Sequence, residues 1–456
     1  VFGKTDGTAV QLSAIELSDN AGGFVINGVS GKDKSGYSVS NAGDVNGDGL
    51  ADLIVGAHLD DPRGPYSGAS FVVFGQTSGT AIELSAVEAG SGGFVINGVS
   101  ERDYSGASVS DAGDVNGDGL ADLIVGARND DPNGDRSGAS FVVFGKTSGT
   151  AVELSDIQAG TGGFVINGVS QRDYSGKSVS SAGDVNGDGL ADLIVGASSD
   201  DPNGSSSGAS FVVFGKTSGS AIELSAIQAG TGGFVINGVT TSDRSGYSVS
   251  HAGDVNGDGL ADLIVGAFGD DPNGDSSGAS FVVFGKTSGT AVELSDIQAG
   301  TGGFVINGVT ASDGSGFSVS NAGDVNGDGL ADLIVGTKNT NMYSPITGAS
   351  FVVFGQTSGT AIELSDIKAS SGGFVINGVN DNDYSGASVS GAGDVNGDGF
   401  ADLLVGARRV NSNGSNSGAS FVVFGGQGSN ATIGTTGVDT LEGDTAADQL
   451  VAGQGD

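Results

Sequence analysis

The chain has no cysteine and no tryptophan, one methionine, two histidines and six prolines. Without cysteine no disulfide can staple the fold, and the redox compartment cannot be read from thiol content. Nucleophilic chemistry would have to rest on serine and aspartate without the usual base, because His58 and His251 stand in different places of the sequence pattern and read as surface residues. Without tryptophan, and with seven scattered tyrosines, a sugar-stacking lectin is disfavoured. Basic residues are scarce too, 17 against 54 acidic ones, giving a formal charge of −37. Nucleic acid and anionic membrane need a basic face and are poor partners for such a chain. No apolar run is long enough to span a bilayer. No signal peptide is recognisable, and the first residue is Val1.

Glycine is abundant, with 87 residues, and it falls in a repeat of 70 residues. The most constant stretch is Asp44-Val45-Asn46-Gly47-Asp48-Gly49-Leu50-Ala51-Asp52, which starts again at Asp114, Asp184, Asp254, Asp324 and Asp394. Oxygen-bearing side chains stand at positions 1, 3, 5 and 9, glycine at position 6 permits a sharp turn, and position 7 offers a backbone carbonyl. That is the donor set of a hard cation, and calcium, with six to eight oxygens at flexible geometry, suits it better than magnesium. The first set is Asp44, Asn46, Asp48, Leu50 and Asp52. Its counterparts are Asp114, Asn116, Asp118, Leu120 and Asp122; Asp184, Asn186, Asp188, Leu190 and Asp192; and Asp254, Asn256, Asp258, Leu260 and Asp262. The last two are Asp324, Asn326, Asp328, Leu330 and Asp332, and Asp394, Asn396, Asp398, Phe400 and Asp402. An EF-hand begins with the same spacing but needs a glutamate at position 12 and flanking helices; here position 12 is Val55 or its counterpart, inside an apolar strand-like run. A metal-free hairpin turn would need only Asn-Gly or Asp-Gly, and three crowded carboxylates without a counterion would repel. Six calcium ions would bring the charge to about −25. The remaining acid keeps a repetitive β-protein soluble.

In order, each period carries a Lys-Thr-Ser-Gly-Thr segment, a short Ala-Val-Glu-Leu-Ser stretch, then Gly-Gly-Phe-Val-Ile-Asn-Gly-Val, Ser-Gly-Tyr-Ser-Val-Ser, the acidic loop, Asp-Leu-Ile-Val-Gly-Ala, a variable polar loop and Gly-Ala-Ser-Phe-Val-Val-Phe-Gly. Four β-rich segments per period, with a helical pattern only around Leu154 to Gln158, predict an all-β chain of four-stranded antiparallel blades in a β-propeller. Val1 to Gly3 match the end of Phe71-Val72-Val73-Phe74-Gly75, so the sequence opens inside a repeat.

These residues resemble FG-GAP repeats, the propeller units of integrin α-subunit heads and of many bacterial surface proteins. Ser35 to Ser40 stand where that family has Phe-Gly, Gly43 to Gly49 are its calcium loop, and Val55-Gly56-Ala57 stand where Gly-Ala-Pro is usual. Two departures are plain: serine replaces the phenylalanine of Phe-Gly in every repeat, and six repeats occur where integrin heads have seven. The resemblance implies that Ser-Val-Ser is the innermost strand, Leu-Ile-Val the second, Phe-Val-Val-Phe the third and the following Phe-Val-Ile-Asn the fourth. On that assignment residues 1–425 form a propeller of six blades, with Phe24 to Val29 supplying the fourth strand of the last blade. A seven-bladed ring completed by residues beyond this sequence is the alternative.

Residues 426–456 differ in character. Gly434 to Glu442 and Gly443 to Val451 approximate the glycine-aspartate nonapeptide of RTX repeats. In that family such repeats form a calcium-loaded β-roll in proteins exported by bacterial type I secretion, so the resemblance implies further calcium, a bacterial source and an extracellular or cell-surface location. Weak calcium sites likewise suit a medium with about millimolar calcium.

Function is expected to be binding and not catalysis. The loop between the second and third strands is an Asp-Asp-Pro-Asn-Gly type in the first four repeats, and it reads as a solvated turn more readily than as a second cation site. It changes in the fifth and sixth repeats to segments carrying Lys338, Met342, Tyr343, Pro345, Arg408 and Arg409. That basic and partly apolar cluster lies on the face opposite the calcium loops, which in integrin heads binds ligand. It is the candidate contact for another surface protein, an acidic matrix polysaccharide or another copy of the chain. Three classes remain open: an adhesive propeller, a structural subunit of an extracellular layer or filament, and an accessory domain of a larger secreted enzyme.

Overall fold

The computed structural model describes Leu12, Ile15 and residues 23–78, 80–338, 348–378, 380, 382–411 and 417–426. The first repeat shows how the blade is built. An innermost strand, Ser38–Gly43 (β2), is followed by Asp52–Ala57 (β3), Ala69–Val73 (β4) and, after a short detour, Gly93–Asn97 (β6). These pair antiparallel in the order β6-β4-β3-β2, with Val55 opposite Phe71 and Phe71 opposite Val95. A preceding short strand, Ile26–Asn27 (β1), and the two residues Ile82–Glu83 (β5) lie outside this sheet and pair parallel with each other. The chain is all-β apart from short helices and forms a six-bladed β-propeller, one blade per repeat, with the strand assignments expected from the sequence.

Apolar runs such as Phe141-Val142-Val143 show no alternation because both sheet faces are covered, each by a neighbouring blade. One cluster joins Ile54, Val72 and Phe94 of the first blade to Leu123, Val125 and Phe141 of the second, and the same arrangement repeats around the ring. Innermost strands of successive blades pack side by side. The close approach explains Gly56: a Cβ there would stand 2.1 Å from the carbonyl oxygen of Gly106 in the next blade.

Two features were not expected. Each of the first four blades gains a fifth strand from the next repeat, as Val152–Glu153 pairs parallel with β6. The five residues after that two-residue strand form a single helical turn, Leu84–Glu88 (α1) in the first repeat, whose Leu84 and Val87 share one face and are buried. The helical pattern noticed at Leu154 to Gln158 is thus one of five such turns among the described residues.

The expected closure through Phe24 to Val29 is not formed. β1 takes the parallel partner that a fourth strand should have, β5, while among the described residues Ala419–Val423 of the last blade pairs only with Asp402–Ala407. The two faces that would meet are open: Val39 is 66% exposed where Val109 is 7%, and Leu404 and Val422 are 38% and 47% exposed where Ile124 and Val142 are 0%. A parallel pairing of two residues satisfies β1 without the last blade, so pairing alone does not draw the first and sixth blades together. No helix among the described residues is long and apolar enough to cross a membrane, which says nothing of β-barrels.

Candidate calcium loops and the opposite rim

All six acidic loops join an innermost strand to its neighbour, so they share one rim, here the lower one. Position 6 has a positive φ, +86° at Gly49, which admits glycine without strain. Asp44 closes the turn: one carboxylate oxygen accepts the N–H groups of Gly47 at 2.7 Å and Asp48 at 3.1 Å, the other that of Gly49 at 2.8 Å. Asn46 accepts from the Asp48 N–H at 2.8 Å and donates its amide to the Asp48 carboxylate at 3.0 Å, and Asp48 accepts from the Leu50 N–H at 2.9 Å. Asp52 differs. It is fully buried, and its two oxygens accept the N–H groups of Val45 at 3.0 Å and Gly75 at 2.7 Å, tying the loop to the exit of the third strand.

Burial raises the carboxyl of Asp52 above its ordinary value, opposed by those two N–H groups and reinforced by the charges of Asp48 and Asp44. Its counterparts Asp122, Asp192 and Asp262 are pushed up to about 7 for the same reasons. The donor set fits a hard divalent cation: three carboxylates and an amide oxygen crowd into one turn, and no lysine or arginine forms an ion pair with them among the described residues. No three acidic or histidine side chains among those residues already converge on one point. Like charges repel, and each carboxylate has turned to backbone donors. Asp44, Asn46, Asp48 and the Leu50 carbonyl, with Asp52 behind them, are the residues that would hold the ion.

Position 7 has a second role that the loop alone did not reveal. A Cβ at Gly47 would lie 3.0 Å from the side chain of Leu120 in the next blade, and Gly327 stands in the same way under Phe400. The Asp44 carbonyl accepts the Ala121 N–H at 3.1 Å, and the bond recurs from Asp114 to Ala191 and on to Asp324 and Ala401. The lower rim is therefore also a belt of contacts between blades.

The upper rim holds the loops after the second and fourth strands. In the second to fourth repeats the first Asp of the Asp-Asp-Pro loop is not solvated as expected: Asp130, Asp200 and Asp270 are buried, each with one carboxylate oxygen lacking a partner. Asp130 faces Asp103 of the neighbouring loop, whose carboxyl is pushed up to about 7 by burial first and by the Asp130 charge second. The two loops are held together by the Asn129 N–H, which donates to the Asp103 carbonyl at 3.3 Å. The histidines also differ from expectation. His58 is buried against Tyr37, ring centres 4.1 Å apart, and burial with the charges of Arg128 and Lys34 lowers it to about 4; His251 is half-buried and lowered by burial.

Of the expected partner residues, Lys338 lies over Phe268 and Phe317, with its ammonium 4.8 Å and 5.4 Å from the ring centres, and Arg408 and Arg409 lie over Tyr384 at 4.9 Å and 4.5 Å. Met342, Tyr343 and Pro345 fall outside the described residues. The structure extends this cluster to residues the sequence reading missed. Lys177 lies over Tyr247 at 3.9 Å, Arg244 over Phe268 at 5.6 Å and Arg128 over Tyr104 at 5.9 Å. The signal was available, since these residues occupy the few places where the repeats disagree.

Comparison with known proteins agrees with this architecture. A sequence model described as FG-GAP repeat matches residues 35–73, 106–143, 175–213, 245–283, 315–353 and 385–423, together just over half of the chain. The chain is 31% identical over 170 residues to Integrin alpha-PS2 of Drosophila melanogaster, covering 36% of this chain and 12% of that protein. It is 29% identical over 245 residues to Integrin alpha-5 of Xenopus laevis, covering 52% and 20%. With Integrin alpha pat-2 of Caenorhabditis elegans it shares 30% over 268 residues, covering 56% and 20%. The matched region thus spans a fifth or less of these relatives.

Proposed function

The chain belongs to the FG-GAP repeat family, and from that premise we propose that it is an extracellular or cell-surface propeller, stabilised by calcium, that acts in adhesion or protein–protein interaction and carries no catalytic centre. The observation that carries the calcium reading is the lower rim itself: six loops with one donor set, the first five bonded through their first carbonyl to the next blade. A cation there neutralises the carboxylates and stiffens the blade interface at once. The integrin relatives support the adhesive reading, since proteins of that name are similar over the region that forms the blades. Export by a type I route, further calcium in residues 434–456 and a bacterial source rest on the sequence of a tail outside the described residues. Thermal unfolding with calcium and with chelator is the test. A large fall in the midpoint is expected, and an unchanged midpoint would remove calcium from the proposal.

A further inference from the structure

Three places in the repeat lie at the upper end of the two innermost strands: the fourth residue before β2, the residue just before it and the residue just after β3. In successive blades they read Lys34, Tyr37 and His58; Tyr104, Ala107 and Arg128; Tyr174, Lys177 and Ser198; Arg244, Tyr247 and Phe268; Gly314, Phe317 and Lys338; Tyr384, Ala387 and Arg408. Every blade contributes one cation, yet the cation moves among the three places. No acidic residue occurs at any of the eighteen positions, although acids outnumber bases 54 to 17 in the whole chain. Random drift would scatter charge of both signs and would not hold the number at one per blade.

The structure brings these cations together. Lys177 lies within electrostatic reach of Arg128, Arg244 and Lys338, and burial together with these charges lowers its ammonium to about 8. Lys338 feels Arg244 and Arg408, His58 feels Arg128 and Lys34, and Tyr247 of the fourth blade feels Tyr37 of the first and Arg408 of the sixth. None of the six cations forms an ion pair among the described residues. The aromatic residues between them space the charges and hold them by cation–π contacts, as Tyr247 does for Lys177.

We propose that this ring of Lys34, Arg128, Lys177, Arg244, Lys338 and Arg408 at the upper end of the inner strands is an anion-binding site, and that its occupant is a protruding acidic loop or terminus of a partner protein. The proposal rests on the adhesive reading and names the chemistry of the partner. Six like charges without counterions raise the energy of the free protein, and an inserted carboxylate cluster relieves it. Cations gathered at one end of the inner strands suit a single projecting segment, whereas an extended polyanion needs a stripe of cations along the surface. Tyr104, Tyr247, Phe268, Phe317 and Tyr384 each carry an ammonium or guanidinium group over the ring, which reduces the aromatic surface for a sugar to stack on and leaves Tyr37 as the exposed ring among these positions.

The experiment uses the full chain with calcium held constant, an oligo-aspartate peptide as probe and a polyuronate oligosaccharide of equal charge as the second arm. The variant Arg128→Ser, Lys177→Ala, Arg244→Tyr gives each place a residue that another blade carries there, so the blade geometry is retained; its melting point is measured alongside. Saturable binding of the peptide by the parent, weakened about 100-fold in a variant that melts normally, is the expected result. Undiminished binding in the variant, no binding of either probe, or tighter binding of the oligosaccharide than of the peptide would each overturn the proposal. Failure of the calcium-stabilised reading shows up separately, as a parent melting point indifferent to chelator.

Discussion

At the lower rim six loops carry Asp, Asn, Asp and Asp at the same places, and only Phe400 interrupts the leucines of position 7. At the upper rim, the three places at the end of the two innermost strands carry eight residue types in six blades. Both rims are made by the same hairpins, so the difference lies in what each residue touches. A lower-rim residue such as Asp44 is bonded through its own carbonyl to the next blade, and Leu120 covers the preceding loop, so a change in one blade disturbs two. An upper-rim residue such as Arg128 projects beyond the strands and meets other side chains, which can be exchanged without moving a ladder bond. The ring is thus held from below and diversified above.

Calcium removal should separate the rims most strongly. With dissociation constants of roughly 0.1 to 1 mM, each site adds about 1.4 kcal/mol at ten times that constant, and six add on the order of 8 kcal/mol, comparable with the stability of a whole domain. Calorimetry in chelator should show a correspondingly lower transition. Hydrogen exchange should show protection lost first along the lower loops and blade interfaces. Loss confined to the upper loops would reverse the comparison.

Single loops should grade with their neighbours. Asp184→Ala with Asp188→Ala removes one ion and loosens the loop whose carbonyl receives the Ala261 N–H, a cost of about 2 to 3 kcal/mol. The equivalent change at Asp394 and Asp398 affects a loop whose first carbonyl accepts no such N–H among the described residues and should cost about half as much. Denaturant midpoints of the two variants decide it, and equal losses would show that calcium acts within hairpins only.

The upper rim has its own response to pH. With calcium saturating, the lower carboxylates stay ionised, and the remaining slope belongs to groups such as Asp103 and Asp173, which are raised from 3.8 to about 7. A carboxyl raised in the folded state binds its proton more tightly there. Its contribution is therefore complete below 3.8 and is lost as pH rises through about 7. Unfolding free energy, and with it the melting point, should rise as pH falls from about 8 to 5, the free energy by up to about 1.4 kcal/mol per pH unit for each group. Asp103→Asn with Asp173→Asn should flatten that rise; a variant with the parent's slope would place the titration elsewhere.

The smallest effect is expected where the comparison predicts tolerance. Arg128→Ser, which breaks no ladder bond or cap, should change stability by no more than about 0.5 kcal/mol. A loss above about 2 kcal/mol would mean that the upper-rim cations support the ring.

The sequence by itself determined the blade. A 70-residue period, β-branched runs bounded by glycine and an Asp-rich turn between two of them are local facts, and they place every strand of Ser38–Gly43, Asp52–Ala57, Ala69–Val73 and Gly93–Asn97 in its sheet. The acidic loops were legible for the same reason, since their donors lie within nine residues. What only the tertiary structure decided depends on residues far apart in the chain. The parallel addition of Val152–Glu153 to the preceding blade uses two residues, too few to show a period. The burial of Asp130 against Asp103 depends on two loops meeting across 27 positions. The cation ring was hidden because its members alternate among three places and come together only when six hairpins are arranged about one axis, where charge is counted around a circle and not along a line.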